Sequence, residues 1–106
     1  MTTAIPDMLF TAAAVMVCDG LPTPQRVEVS VGFGLELDFA SHTDLHRWAR
    51  FMNLTGFLSQ PYTRDGVPNV LTNTYGWWRG VRVRLHCCEP ITDTPPEFLP
   101  PEVMAA

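Results

Sequence analysis

The spacing of apolar residues changes along the chain, and each change predicts an element. From Met8 the residues Leu9, Ala12, Val15 and Met16 recur at helical spacing, behind a Pro6 suited to a first helical turn, until Asp19-Gly20 and Pro22 end the run. A first helix is therefore expected over residues 5–18. Phe10, Ala13, Ala14 and Val17 fill its other faces, so it should be buried deeply or shared with a partner chain. A buried strand over 13–18 is the competing reading.

From Arg26 the period becomes two. Val27, Val29 and Val31 alternate with Glu28 and Ser30, and beyond Gly32-Phe33-Gly34 the residues Leu35, Leu37 and Phe39 alternate with Glu36 and Asp38. Alternation on both sides of a glycine turn predicts a β-hairpin with one buried face and one acidic, wet face. "SHTDLHRWARFMNLTG" then predicts a second helix, with Ser41 as N-cap, Asp44 as its capping-box partner and an end near Gly56. Its stripe of Leu45, Trp48, Ala49 and Met52 should lie against the hairpin's apolar face.

Residues 57–69 carry two prolines and an Asp-Gly turn signal and read as an irregular connection. A second hairpin follows over 70–78 and 81–88, turning at Arg79-Gly80. In its last strand Val81, Val83, Leu85 and Cys87 share one face, and Arg82, Arg84, His86 and Cys88 the other. If both hairpins join one sheet, its outer face sets Glu28, Glu36 and Asp38 against Arg82 and Arg84. The expectation is a small single α+β domain over residues 1–89: an antiparallel sheet of two hairpins covered by one to two helices, in the order α-β-β-α-β-β. Residues 90–106, with Pro95-Pro96 and Pro100-Pro101, are expected to form a flexible, extended tail, and Phe98 and Leu99 are its anchors should it dock.

Composition narrows the function classes. The chain has 106 residues, enough for one domain, and its 46% apolar content argues for a packed core over a disordered chain. The net charge of −4 arises in the tail, where Glu89, Asp93, Glu97 and Glu102 have no basic counterpart. Ahead of it the arginines balance the acids, so no broad positive field is available to hold a phosphate backbone. Every basic residue is arginine, a bias expected of a high-GC bacterium or its phage or plasmid. With Asp7 where a signal peptide needs positive charge, and with three cysteines that form no disulfide framework, a cytoplasmic protein with reduced thiols and no membrane contact is expected.

Chemistry-bearing residues gather late in the chain. His42, His46, His86 and Cys88 are plausible metal ligands, but their spacing fits neither a zinc finger nor paired CxxC ribbons, and no metal or cofactor is assigned. His86 cannot readily activate Cys87, because neighbouring strand residues point to opposite faces, although a histidine of the second helix could reach one of the cysteines. No catalytic residue is assigned, and an enzyme is not expected. Tyr75, Trp77, Trp78, Arg79, Arg82 and Arg84 combine stacking rings with positive charge, which would suit single-stranded nucleic acid. The nearby acids argue against it, so nucleic-acid binding is the alternative. The leading expectation is a non-catalytic protein-interaction module, a small regulatory or accessory protein that forms a homodimer or docks on a protein partner. Trp78, Arg79, Arg82 and Arg84 are its expected binding surface, with Tyr62 and Arg64 in the connection.

Overall fold

The computed structural model describes residues 5–18, 20–30 and 32–104. Its elements are α1 (Ile5–Met16), β1 (Arg26–Ser30), β2 (Gly34–Phe39), α2 (His42–Met52), β3 (Phe57–Arg64), β4 (Val67–Trp78) and β5 (Val81–Pro90). Two 3-10 turns at Ile91–Asp93 and Pro96–Phe98 and a short α3 (Pro101–Met104) follow. The α+β expectation holds, and the strand arrangement differs from it. The sheet has five strands in the order β1-β2-β5-β4-β3. It is mixed: β2 and β5 run parallel at its centre, with Leu37 opposite Leu85, while β1–β2, β5–β4 and β4–β3 are antiparallel.

The alternation that predicted the strands also sets the two faces. Leu35, Leu37 and Phe39 of β2 and Val81, Val83, Leu85 and Cys87 of β5 are all buried. Against them lie Met8 and Val15 of α1 and the α2 stripe of Leu45, Trp48, Ala49 and Met52, so both helices cover the same side. Trp48 anchors this layer by donating its indole N–H to the Pro22 carbonyl at 2.6 Å. Ser41 caps α2 as expected, its hydroxyl accepting from the Asp44 N–H at 3.2 Å. The helix ends earlier than expected, because Asn53 adopts the left-handed conformation (φ 60°) and closes it.

α1 ends at Met16 and is covered on one side only. Leu9 and Phe10 of α1 and Val17 just past it are exposed, which corrects the expectation of deep burial within the chain and does not touch its other half, a face shared with a partner chain. Val31, expected in the first hairpin, and Asp19, expected to help end the first helix, lie outside the described residues.

The expected irregular connection is instead β3 and a tight turn. Asp65 and Gly66 both take positive φ (49° and 79°), the combination that a two-residue hairpin turn needs. Arg79 and Gly80 repeat it (54° and 76°), as expected of that turn. Pro61 is tolerated because β3 is an edge strand, whose outer N–H groups have no ladder to complete. Gly34 marks the tightest approach between β2 and β5. Its φ is 115°, and a Cβ there would collide with the Arg82 carbonyl.

The C-terminal segment is not an extended tail. Glu89 still belongs to β5, Thr94 and Pro100 are buried, and the Phe98 ring stacks on His46 at 4.1 Å. The prolines that suggested an extended end start short helical turns instead: Pro90 precedes the first, Pro95-Pro96 opens the second and Pro100-Pro101 opens α3.

Candidate functional site

Two regions carry chemistry, one on each side of the sheet. On the helix side, His42 opens α2 with no exposed surface. Its backbone N–H donates to Glu89 Oε1 at 3.1 Å, and its Nδ1 lies 2.7 Å from the same oxygen. A carboxylate only accepts, so Nδ1 carries the ring hydrogen. The other ring nitrogen, Nε2, meets Thr72 Oγ1 at 2.8 Å, and that hydroxyl touches Ser59 Oγ at 2.8 Å. Thr94 completes the cluster, its one hydroxyl hydrogen shared between Glu89 Oε1 at 3.1 Å and the Pro90 carbonyl at 2.9 Å. The result is a continuous hydrogen-bonded chain from a buried carboxylate through an imidazole to a hydroxyl.

That layout has the parts of a nucleophile, base and orienting acid, yet the hydroxyl that His42 touches belongs to Thr72, which has no exposed surface. No substrate atom can approach it. Ser59, one hydroxyl further, reaches a cleft of about 360 Å³ between His46, Phe57 and Phe98. Cys87 lies beside the chain with Sγ 3.6 Å from His42 Nδ1, so a histidine of α2 does reach a cysteine. Burial pushes the Cys87 thiol up to about 12, and the carboxylate of Glu89 adds to this, so at neutral pH it is no nucleophile.

The four ligands that the sequence suggested do not converge. His42 and His46 lie on the helix side, where His46 is sandwiched between Phe57 (4.4 Å) and Phe98 (4.1 Å). Burial lowers its pKa, and so do the nearby His42 and Arg50. His86 and Cys88 point the other way, His86 Nδ1 sitting 3.0 Å from Asn73 Oδ1. Burial lowers the His86 pKa too, against the opposing pull of Asp38.

The opposite face of the sheet has no helix over it among the described residues. Across it run Arg26 and Glu28, then Glu36 and Asp38, then Arg82, Arg84, His86 and Cys88, then Leu71, Asn73, Tyr75 and Trp77, and at the far edge Leu58, Gln60, Tyr62 and Arg64. Charge gathers at the β1 edge and apolar side chains at the β3 edge. Trp77 is 63% exposed and Leu58 67%. Arg84 pairs with Glu36 at 3.3 Å, as the expected register allowed, and Arg26 pairs with Glu28 at 2.8 Å. Arg82 and Arg84 also reach over the Phe33 ring, at 4.9 and 5.3 Å, and Phe33 packs on Tyr75 at 5.9 Å.

Of the residues expected to form a binding surface, Arg82, Arg84, Tyr62 and Arg64 share this open face. Trp78 and Arg79 do not belong to it: Trp78 packs against the core and lies 5.7 Å from Phe51, and the Arg79 guanidinium covers its ring at 4.5 Å. The exposed indole is that of Trp77. A two-residue turn pairs Trp78 with Val81, so the core position of Val81 already implied a core position for Trp78. Leu58 was missed for a different reason, since it carries no charge and sits in no motif, while Tyr75 and Trp77 were named only for the nucleic-acid alternative. Comparison with family models, curated proteins and solved structures finds no match. Among the described residues no helix is long and apolar enough to cross a membrane.

Proposed function

We propose that the protein is a non-catalytic interaction module that associates with a second copy of itself through the open face of its sheet. What carries the reading is the exposure of Leu58, Tyr62, Tyr75 and Trp77 on one continuous surface, whereas soluble monomers rarely leave a large apolar patch uncovered. Five strands spaced about 4.8 Å apart, each some eight residues long, present on the order of 600 Å² per copy. Two copies would then bury on the order of 1,200 Å² in total, within the range of specific interfaces. Charge does not oppose the pairing, because Arg26, Arg64, Arg82 and Arg84 offset Glu28, Glu36 and Asp38 on that face. Two sheets stacked face to face with helices outside is also a favourable layer arrangement. A role as a small regulatory or accessory protein fits such a surface.

The test is light scattering across a concentration series. A dimer mass that falls to the monomer mass on Trp77→Asp, with Val17→Asp just past α1 as a control that leaves it unchanged, supports the reading. A monomer at every concentration overturns it. The same arginines and rings favour a second reading, single-stranded nucleic-acid binding, which a filter-binding titration at low salt checks. The exposed Leu58 and the intervening Glu36 and Asp38 are poor neighbours for phosphates.

A further inference from the structure

On the helix side of β5, Cys87 and Glu89 stand two residues apart, so the pleat aims both side chains the same way, toward the first residue of α2. There His42 meets them: its ring nitrogen, the Cys87 sulfur and a Glu89 carboxylate oxygen all lie within 4.8 Å of one another, and all three residues are buried. We infer that this trio binds a zinc-class divalent cation, which ties the start of α2 to the end of β5. The donors are one sulfur, one imidazole nitrogen and one carboxylate, a set that suits zinc better than magnesium or calcium.

The geometry is close to what the ion needs. His42 Nδ1 and Cys87 Sγ are 3.6 Å apart, about the span of a Zn–N bond of roughly 2.0 Å and a Zn–S bond of roughly 2.3 Å at a tetrahedral angle. Nδ1 and Glu89 Oε1 are nearer, at 2.7 Å, because they share a hydrogen. A metal displaces that hydrogen, and the pair must open by roughly 0.7 Å to reach ligand spacing. The second oxygen of Glu89 supplies a fourth position.

The charge also closes. Binding sends one proton to solvent, from the Cys87 thiol, and shifts the ring hydrogen from Nδ1 to Nε2, which leaves a thiolate, a carboxylate and a neutral imidazole around a dication. A buried site with no net charge replaces a buried carboxylate next to a neutral ring. The surrounding bonds are those of an outer coordination shell. Nε2 takes the hydrogen displaced from Nδ1 and donates it to Thr72 Oγ1 across the 2.8 Å contact, while the His42 N–H and the Thr94 hydroxyl orient the carboxylate. Of the four ligands that the sequence named only His42 belongs to this trio, although the alternation that put Cys87 with Val81, Val83 and Leu85 already aimed it at the covered face.

Cobalt(II) is the probe, since a thiolate ligand gives it a charge-transfer absorption. The site is sealed, so chelator-treated protein receives cobalt both when folded and during refolding. The expected result is one cobalt per chain with the charge-transfer band, displacement by zinc, and a higher thermal midpoint. Cys87→Ser removes the band. A Cys18→Ser, Cys88→Ser double variant, whose sole thiol is Cys87, keeps it, and this variant decides the matter should Cys87→Ser fail to fold. Absence of the band at one equivalent under both loading regimes, or its persistence in Cys87→Ser, overturns the inference.

Discussion

Replacing Trp48 by alanine is expected to cost about 3–5 kcal/mol, because its ring fills the centre of the helix–sheet layer and its N–H satisfies the Pro22 carbonyl. The same change at exposed Trp77 should move stability by no more than about 0.5 kcal/mol. Urea denaturation of the two variants measures the contrast. Glu89→Ala belongs with the severe changes. It strips the acceptor from the His42 backbone N–H, the His42 ring and the Thr94 hydroxyl at once, and each buried donor left unsatisfied costs about 1–3 kcal/mol. Glu89 was invisible as a core residue in the sequence. It follows His86-Cys87-Cys88 and precedes the prolines, a context that reads as the start of a solvated acidic end, and only the continued alternation from Val81 could have placed it inward.

Among the elements, β1, β2, β5 and α2 could be read from the chain because each has one wet and one dry face, which gives the apolar residues a period. β3 has none. Most of its residues are exposed on both sides, so nothing alternates, and Pro61 and the Asp-Gly turn dominate the pattern. Nor does any local signal state that β2 lies beside β5. That pairing joins residues such as Leu37 and Leu85, and it is parallel because α2 carries the chain away from β2 to the far edge of the sheet. Gly34 reports the pairing from within. Gly34→Ala should destabilise markedly, since both a positive φ and the Arg82 backbone oppose a side chain there, whereas Gly32→Ala, with open space around it, should be mild. Thermal melting of the two variants checks this. The C-terminal segment behaves as an element too: deleting residues 95–106 removes Phe98 from its stack on His46, and a lowered thermal midpoint is the expected outcome.

At the scale of the whole molecule, stability should pass through a maximum near neutral pH. Burial lowers the pKa of His46 and of His86 from the ordinary 6.5. The unfolded chain therefore binds protons that the folded one resists, and stability present above 6.5 is lost as the pH falls below it. Cys87 acts from the other side. Its folded value of about 12 exceeds the ordinary 9.0, so stability present below 9.0 is lost as the pH rises toward 12. Urea midpoints from pH 5 to 10 should trace this dome, and Cys87→Ala should flatten its alkaline limb.

The last strand to be synthesised is the one at the middle of the sheet. Until β5 leaves the ribosome, the chain holds two hairpins, β1–β2 and β3–β4, with no partner for the inner edge of β2 or of β4. The fold cannot therefore be built by vectorial accretion from its first residue. The sheet can be completed only once residues 81–90 are available to join its two halves.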